Sequence, residues 1–367
     1  MTARARSLLL ACALFGLARP ALAQDSQFGI QGLGTPGRDE SVASRSAGGA
    51  LTPFDGASVL DDASLVDLPA LSSTVALGTS YRQVEAPNNT NWLRTVRYPL
   101  FSVGGKLGHR LYIGGGFSTY LDRTYSVATR DSIMLRGVSE AFNDQVSSNG
   151  GVGDLRLTVA TRFGPHVALG LGAHLLAGST QELATRRFDD TLTYAVIRQT
   201  AQVRYDGFGI SGGALVDLTS SLSIALFGRH DGRLDQYVGD TLTLRSDLPN
   251  TIGGAVRWVH ERTTRVAASV VWRSWSQAAA NAYNTLNWSV GVDLGDAKPL
   301  RFGVRGGQLP FGPGPGAPSE WGVSLGTGRK FAKGRGLLDF GIERLSRDGG
   351  GLHENVWTAL IGMTVRP

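Results

Sequence analysis

The chain has 367 residues, 50 of them glycine; hydrophobic residues make up 42% and charged residues 18%. So much glycine argues against a helical protein because glycine weakens helices, and the hydrophobic share argues against a disordered chain. The formal net charge of the whole chain is +6, and it is +3 once the three arginines of residues 1–23 are left out: Arg4, Arg6 and Arg19. The chain has no run of basic residues and no basic–aromatic stripe that would support binding to nucleic acid.

Residues 1–23 predict a secretory signal peptide. Arg4 and Arg6 precede an apolar stretch over 7–17, and 21–23 read Ala-Leu-Ala, a small-residue cleavage site. An alternative is a lipoprotein signal, since residues 9–12 read Leu-Leu-Ala-Cys. Cys12 is the only cysteine, so the processed chain is expected to lack disulfides and thiolate metal sites.

Alternation of apolar and polar residues dominates the chain after residue 72. The two arms around the FGPH turn at 163–166 alternate for about ten residues each, longer than the usual strand of about 5–6 residues. The predicted strands are 72–84, 96–107, 109–124, 151–164, 166–180, 202–217, 220–232, 249–261, 264–276, 283–295, 299–309, 319–330, 335–346 and 354–366. No apolar run reaches the ~18 residues of a membrane-spanning helix, and the other structure able to span lipid is a closed barrel. We therefore predict an all-β fold, a transmembrane antiparallel β-barrel of 14 strands over residues 72–367.

The connections predict the setting of this barrel. Short turns alternate with longer links, the longest predicted at 85–95, 125–150, 181–201 and 233–248, as in outer-membrane barrels with short periplasmic turns. Aromatic residues near strand ends fit the girdles of such barrels: Tyr81, Phe163, Trp258, Trp272, Trp321 and Trp357. The predicted location is the outer membrane of a Gram-negative-type cell. The expected partners are its lipid and, during biogenesis, the barrel-assembly machinery.

Residues 24–71 lack this alternation and resemble a known family. AGGAL at 47–51, DGAS at 55–58, DDAS at 61–64 and LPAL at 68–71 resemble the N-terminal hatch of FadL-type transporters, and ENVW at 354–357 resembles their final strand. Those proteins are fourteen-stranded outer-membrane barrels that pass long-chain fatty acids and other hydrophobic compounds. Their hatch ends in Asn-Pro-Ala; here Pro69 and Ala70 match, and Leu68 stands in place of the asparagine.

The resemblance implies a transport route for an apolar solute, without a cofactor. The solute is captured at the extracellular loops, released when a hatch inside the lumen shifts, and discharged sideways through a gap at the third strand. That strand contains Gly114, Gly115 and Gly116, and glycines permit bulges. Together with Asp61, Asp62 and Pro69 of the hatch they are the gate candidates. The alternative is that these glycines merely relieve crowding in a tilted barrel.

Inward-facing charges suggest how hatch and cargo are held. Strand alternation points these arginines into the lumen: Arg82, Arg156, Arg162, Arg229, Arg257, Arg273, Arg301 and Arg305. The hatch carries more acids than bases. We hypothesise that an acidic hatch docks into a basic lumen, and that Arg156, Arg257, Arg273, Arg301 and Arg305 also bind a cargo carboxylate. Leu135 and Phe142 of the 125–150 loop are candidates for an apolar capture groove. The alternative is a water-filled wall whose charges simply avoid lipid.

Catalysis and metal binding are not expected. Residues 209–213 and 322–326 both fit G-x-S-x-G, but each lies within a predicted strand with no helix after it, unlike a nucleophile elbow. No histidines pair at metal-ligand spacing, and His174 is the one plausible lumen histidine. The predicted function is passive transport of hydrophobic, fatty-acid-like molecules. The alternative is a non-transport barrel that acts as an anchor or a secretion-accessory protein.

Overall fold

The computed structural model describes residues 26–366 except 59, 69, 87, 88 and 262. The predicted signal peptide and Pro69 lie outside the described residues. The strands are β1 Thr35–Pro36, β2 Ser72–Ala86, β3 Asn89–Leu107, β4 Leu111–Asp122, β5 Tyr125–Leu135, β6 Val138–Phe163, β7 Val167–Phe188, β8 Ile197–Asp217, β9 Leu222–Val238, β10 Thr241–Asp247, β11 Asn250–His260, β12 Thr264–Arg273, β13 Thr285–Leu294, β14 Leu300–Gln308, β15 Ser319–Phe331, β16 Gly336–Gly349 and β17 Leu352–Val365. One α-helix, α1, spans Val42–Ser46, and single 3₁₀ turns cover Gln27–Gly29, Thr52–Phe54, Ala63–Asp67, Trp275–Gln277 and Ala332–Gly334.

Fourteen of these strands form a closed antiparallel ring, which confirms the predicted barrel. The ring runs β2–β3–β4–β6–β7–β8–β9–β11 and on through β17, each strand antiparallel to its neighbours. It closes where β17 pairs with β2, from Val365 opposite Ser73 to His353 opposite Glu85. The short β1 pairs with β4, and β5 and β10 pair with parts of β6 and β9. Within the described residues, no helix is long and apolar enough to cross a bilayer.

The alternation of β6 explains why the ring needs lipid outside it. Leu155 and Leu157 are 55% and 57% exposed, whereas Asp154 and Arg156 between and beside them are 2% and 6% exposed. Strand geometry sends successive side chains to opposite faces, so the apolar face points outward and the polar face into the lumen. The six aromatics predicted for the girdles are all exposed on that outer wall. An outer wall of this kind around a closed ring is the architecture of an outer-membrane barrel.

All four long predicted loops are wrong in the same way. Residues 125–150 are a β-hairpin of β5 and the start of β6, and residues 241–247 within the predicted 233–248 link form β10. Most of 85–95 belongs to β2 and β3, and most of 181–201 belongs to β7 and β8. At 26 residues, β6 is far longer than the ~9–11 residues that cross a bilayer. Outside the membrane both faces of such a hairpin meet water, so the apolar–polar alternation that marks a wall strand is absent there.

The N-terminal segment, residues 26–71, lies inside the ring. The α1 helix contacts β14–β17, the 52–54 turn contacts β9 and β11, and the 63–67 turn contacts β3, β4 and β6–β8. Strands on nearly every side of the ring therefore touch this one segment. Its apolar residues are buried between 0% and 8% against small wall residues: Ala47, Ala50, Leu51, Phe54, Ala63 and Leu65. The segment thus supplies the core of the barrel.

Wall glycines make room for the segment at its closest approaches. A Cβ on Gly303 would lie 2.1 Å from backbone atoms of Ala47 and Gly48, and one on Gly291 would lie 2.0 Å from the Ala47 oxygen. No real Cβ tolerates such contacts with backbone. These two glycines are therefore required by the segment and not by the strands that contain them.

Gly303→Ala is expected to loosen the segment on the β13–β14 side of the lumen. The added methyl group must displace backbone around Ala47, and overpacking of this kind costs about 1–3 kcal/mol. Limited proteolysis within residues 41–52, in folded barrel, measures the loosening. Gly228→Ala is the matched control, because its Cβ would meet only the Thr251 oxygen at 3.6 Å. Equal resistance of residues 41–52 to proteolysis in the two variants would contradict the conclusion that Gly303 makes room for the segment.

Candidate functional site: the occupied lumen

Buried ion pairs tie the start of the segment to β16. Ser41 caps α1 by accepting a hydrogen bond from the Ser44 amide at 3.1 Å, and Arg45 of the same helix faces the wall. Arg45 donates to one carboxylate oxygen of Glu343 at 2.7 and 3.0 Å, and Arg38 donates to the other at 2.7 Å. The Glu343 side chain is fully buried. One wall carboxylate thus holds two arginines of the segment, the reverse of the predicted acidic segment on a basic wall.

The predicted polarity does occur at the other end of the segment. Asp67 accepts from Arg162 at 3.2 Å and from Arg257 at 3.1 Å, and the Arg257 guanidinium also lies 4.6 Å from the Phe54 ring centre. Arg156 donates to the Ser58 carbonyl at 3.1 Å and lies 3.6 Å from Asp62. The structure therefore places Arg156 and Arg257 against the segment, as anchors of its second half.

A hydrogen-bonded series links Asp62 to three neighbouring wall strands. Ser211 donates to Asp62 at 2.5 Å and lies 2.7 Å from His174 Nε2, while His174 Nδ1 lies 2.9 Å from Asp154. His174 is 1% exposed. The carboxylates at the two ends accept: Ser211 donates to Asp62, and His174 Nδ1 donates to Asp154.

Sequence reasoning missed this series, although its three wall members project inward from consecutive strands β6, β7 and β8. Ser211 is the serine of one G-x-S-x-G match, and it stands beside a histidine and an aspartate. Its single hydroxyl hydrogen is directed to Asp62, and Asp62 occupies the space in front of it. The arrangement accordingly joins the segment to the wall. Strand register, which places His174 opposite Arg156 and Gly209, is the signal that would have found it.

The buried carboxylate of Asp61 has a hydrogen-bond partner for only one of its two oxygens among the described residues. It is 1% exposed; one carboxylate oxygen accepts from the Ala63 amide at 2.9 Å, and the other has no hydrogen-bond partner among the described residues. Burial raises the pKa of Asp61 from 3.8 to about 7, with the neighbouring Asp62 charge adding to the effect. A carboxyl group in this position is thus protonated more readily than one in the released segment.

The docked segment is therefore expected to loosen as pH rises from about 4 to about 7 and to change little above that. A raised carboxyl pKa in the docked state means that docking takes up a proton, so its free energy becomes less favourable as protons are withdrawn. Protease accessibility of the segment, compared at about pH 5 and about pH 8, measures this. Asp61→Asn should reduce the difference, leaving the part that comes from Asp39 and Asp67, whose pKa values burial also raises. Asp189→Asn on the extracellular hairpin should keep the full difference. An undiminished pH response in the Asp61→Asn variant would contradict the role assigned to Asp61.

A cavity of about 170 Å³ lies between residues 36–40 of the segment and the wall. Its lining is charged, with Arg229 held by Asp231 and Asp154, and Arg305 held by Glu320 at 2.5 Å. The Arg273 side chain also lines the cavity and makes no hydrogen bond or ion pair to any residue that the structure describes, although the Asp39 and Glu40 carboxylates act on it electrostatically. Trp275 and Leu309 contribute apolar surface nearby. The cavity thus combines one unengaged guanidinium with apolar walls.

The other predicted site residues lie elsewhere. Arg301 pairs with the wall acids Asp293 and Asp339 at 3.3 and 2.6 Å and does not meet the segment. Leu135 is at the tip of the β5–β6 hairpin, and Phe142 is buried against Phe188 in the same extracellular layer. The structure does not bring these three residues into the cavity.

The predicted gate glycines sit in an unbroken part of the wall. Residues 114–116 pair with β3 on one side and β6 on the other. A Cβ on Gly114 would lie 2.9 Å from Leu65, so this glycine makes room for the segment. The register of β4 against β6 shifts between Thr119 and Leu121, beside a recess of about 190 Å³ lined by 150–153 and Phe117. The irregular point of the third barrel strand is thus a few residues beyond the glycines.

Comparison with known proteins identifies the fold. Comparison with protein-family models finds no match, and comparison with curated proteins finds none. A Pseudomonas aeruginosa FadL homologue superposes with a TM-score of 0.62 at 13% identity, over 91% of this chain and 99% of that one. The Pseudomonas putida toluene transporter TodX superposes with a TM-score of 0.61 at 13% sequence identity, over 91% of this chain and 99% of that one. The monoaromatic hydrocarbon channel CymD superposes with a TM-score of 0.58 at 15% identity, over 93% of this chain and 99% of that one. The predicted resemblance to FadL-type channels is confirmed at the level of the fold.

Proposed function

We propose that this chain is a passive outer-membrane transporter of hydrophobic small molecules, fatty-acid-like amphiphiles among them, and that residues 24–71 are its hatch. The observation that carries the proposal is the lumen itself. The N-terminal segment fills the lumen and contacts the wall only through non-covalent interactions among the described residues. A cavity with both charged and apolar walls lies between this segment and the wall. The solved structures that share this fold are described as hydrocarbon channels and a toluene transporter.

The cavity supports a cargo with an acidic head and an apolar body. Arg156, Arg257 and Arg305 are already engaged by protein groups, which leaves Arg273 as the guanidinium open to a ligand. Arginine pairs with a carboxylate in two places at once, and Trp275 beside it offers an apolar surface to the attached chain. We assign head-group binding to Arg273 and hatch anchoring to the arginines that contact the segment.

Uptake into proteoliposomes by the full mature chain tests this assignment. Arg273→Gln should slow entry of a medium-chain fatty acid and leave entry of an uncharged aromatic hydrocarbon unchanged, because only the first has a carboxylate to lose. Arg187→Gln, on the extracellular hairpin, is the matched control and should alter neither. Equal slowing of both solutes by Arg273→Gln, or no slowing of either, would overturn the head-group assignment.

Lateral discharge into lipid is the proposed exit. The register shift between Thr119 and Leu121, with Gly151 and Gly153 on the facing strand, interrupts the regular pairing of the wall beside the recess. A disulfide across it, made by Thr119→Cys and Gly153→Cys, which pair across the strands, should block uptake until it is reduced. Full uptake by the oxidised variant would rule out exit at this point.

A further inference from the structure

Every lysine of the chain lies on one rim of the barrel. The four are Lys106 at the end of β3, Lys298 in the β13–β14 turn, and Lys330 and Lys333 at the β15–β16 turn. This is the short-turn rim, which faces the periplasm in outer-membrane barrels. Four arginines accompany them, and the eight cations together are named the basic arc: Lys106, Arg110, Lys298, Arg329, Lys330, Lys333, Arg335 and Arg366.

The basic arc is continuous around part of the ring. The β13–β14 turn, the β15–β16 turn, the end of β17 and the β3–β4 turn follow one another in ring order. Backbone bonds join adjacent parts: the Lys330 amide donates to Ala297 at 3.2 Å, and the Arg366 amide donates to Arg335 at 2.7 Å. These turns carry one described carboxylate, Asp296, which pairs with Lys330. The arc thus concentrates far more positive charge than the mature chain carries on average.

Most members of the arc make no ion pair within the described part of the chain. Among the described residues, no ion pair is made by six of its members: Lys106, Arg110, Lys298, Arg329, Lys333 and Arg335. On the opposite rim some exposed arginines pair with aspartates, as Arg130 does with Asp189 and Arg245 with Asp235, whereas Arg136, Arg187 and Arg198 pair with no described residue. Charges left without partners in the protein favour an anionic partner outside it.

The depth of the arc identifies that partner. Large apolar side chains that face lipid stand directly beside its cations: Leu107 is 57% exposed, Leu300 52% and Phe331 42%. Lys106 and Lys330 are immediate chain neighbours of the first and third. A strand advances about 3.3 Å per residue, so these residues lie at the depth where the apolar wall ends, although alternation turns the Lys106 and Lys330 side chains to the inner face. Arg329, two residues before Phe331, shares its outward face, and a long basic side chain at this depth can extend toward phosphates.

From this placement we propose that the basic arc binds the head groups of anionic phospholipids in the periplasmic leaflet. Lysine suits such a surface because its flexible stem and point charge follow mobile phosphates without requiring a fixed geometry. Clusters of four to eight basic residues beside a membrane-spanning segment bind anionic lipid through the same electrostatics. The arc lies at the depth where the lipid-facing wall ends, and Arg329 points outward there, which favours lipid over a protein docked on the end face. This binding does not depend on the transport function proposed above.

Thermal unfolding of the full mature chain in vesicles tests the proposal. The Tm should be higher in phosphatidylethanolamine vesicles that contain phosphatidylglycerol than in those without it. The increase should vanish at about 1 M salt, where the Debye length falls to about 3 Å. The triple variant Lys298→Glu, Lys333→Glu and Arg335→Glu should lose most of the increase. Native mass spectrometry should then detect fewer retained phosphatidylglycerol molecules.

The matched control reverses three cations of the extracellular hairpins, Arg136→Glu, Arg187→Glu and Arg198→Glu, and should keep the full increase. If the basic-arc reversal fails to fold, the corresponding glutamine variants remove the charge without repulsion and should give the same loss. Equal Tm values in the two kinds of vesicle, or an undiminished increase in the basic-arc variants, would overturn lipid binding. Should an acidic soluble protein raise the Tm of the wild type where phosphatidylglycerol does not, the arc would be a protein-docking surface instead.

Discussion

Deletion of residues 24–66 is expected to convert the closed barrel into an open, weakly selective pore. A ring of fourteen strands is too wide for wall side chains alone to fill, and the N-terminal segment supplies the buried core. The strands should still close, because their backbone bonds run from wall strand to wall strand. Single-channel recording in planar bilayers should show large, steady currents where the intact chain gives small ones.

A deletion of similar kind outside the lumen serves as the control. Residues 130–141 at the tip of the β5–β6 hairpin pair chiefly with each other, and their removal should leave conductance unchanged.

The deletion of residues 24–66 also separates the two candidate functions. A transporter should become leaky or lose selective uptake, whereas an anchor or secretion-accessory barrel should keep its phenotype. Small, unchanged currents after removal of 24–66 would show that the segment does not close the lumen.

Glu343→Gln is expected to release the α1 end of the segment while the rest stays docked. The substitution leaves Arg38 and Arg45 facing a neutral amide in a buried position, and loss of one partner from such a pair costs about 3–5 kcal/mol. Arg38 keeps its ion pair with Glu40, but the Arg45 guanidinium then favours water over the lumen. Noisier single-channel currents and faster proteolysis near residue 45 are the measurements.

An exposed ion pair provides the contrast for this prediction. Asp144 and Arg186 pair at 2.7 Å on the extracellular hairpin, where both side chains are about a third exposed. Solvent screens such pairs, which contribute about 0–1 kcal/mol, so Asp144→Asn should leave the currents quiet. Equal noise in the two variants would mean that the buried pair does not hold the segment. Rescue by Arg45→Gln together with Glu343→Gln would add support, since it removes the unpaired charge.

The sequence predicted the wall well and the site only in outline. Alternation located every barrel strand because lipid enforces an apolar face at each second residue, as at Leu155 and Leu157. The same alternation selected Arg156 and Arg257 as inward-facing. It could not say which groups they meet, because an inward arginine is equally compatible with wall acids, the segment or water. Arg301, inward as predicted, is occupied by two wall aspartates.

Two features required the folded molecule. Asp154, His174 and Ser211 meet Asp62 only because three consecutive strands lie in one register, and a sequence without known register offers no way to align them. The basic arc is scattered from residue 106 to residue 366, and ring closure brings its turns side by side. In both cases residues distant in the chain become neighbours through hydrogen-bonded pairing.

By itself the sequence determined that this chain is a long-stranded barrel with an apolar outside, a polar inside and a distinct N-terminal segment. Those properties follow from local periodicity and from the solvent on each face. Only the tertiary structure decided how the segment is held, which arginine remains unengaged and where the positive charge collects. Such facts depend on strand register and ring closure, which bring side chains from different strands within hydrogen-bonding distance.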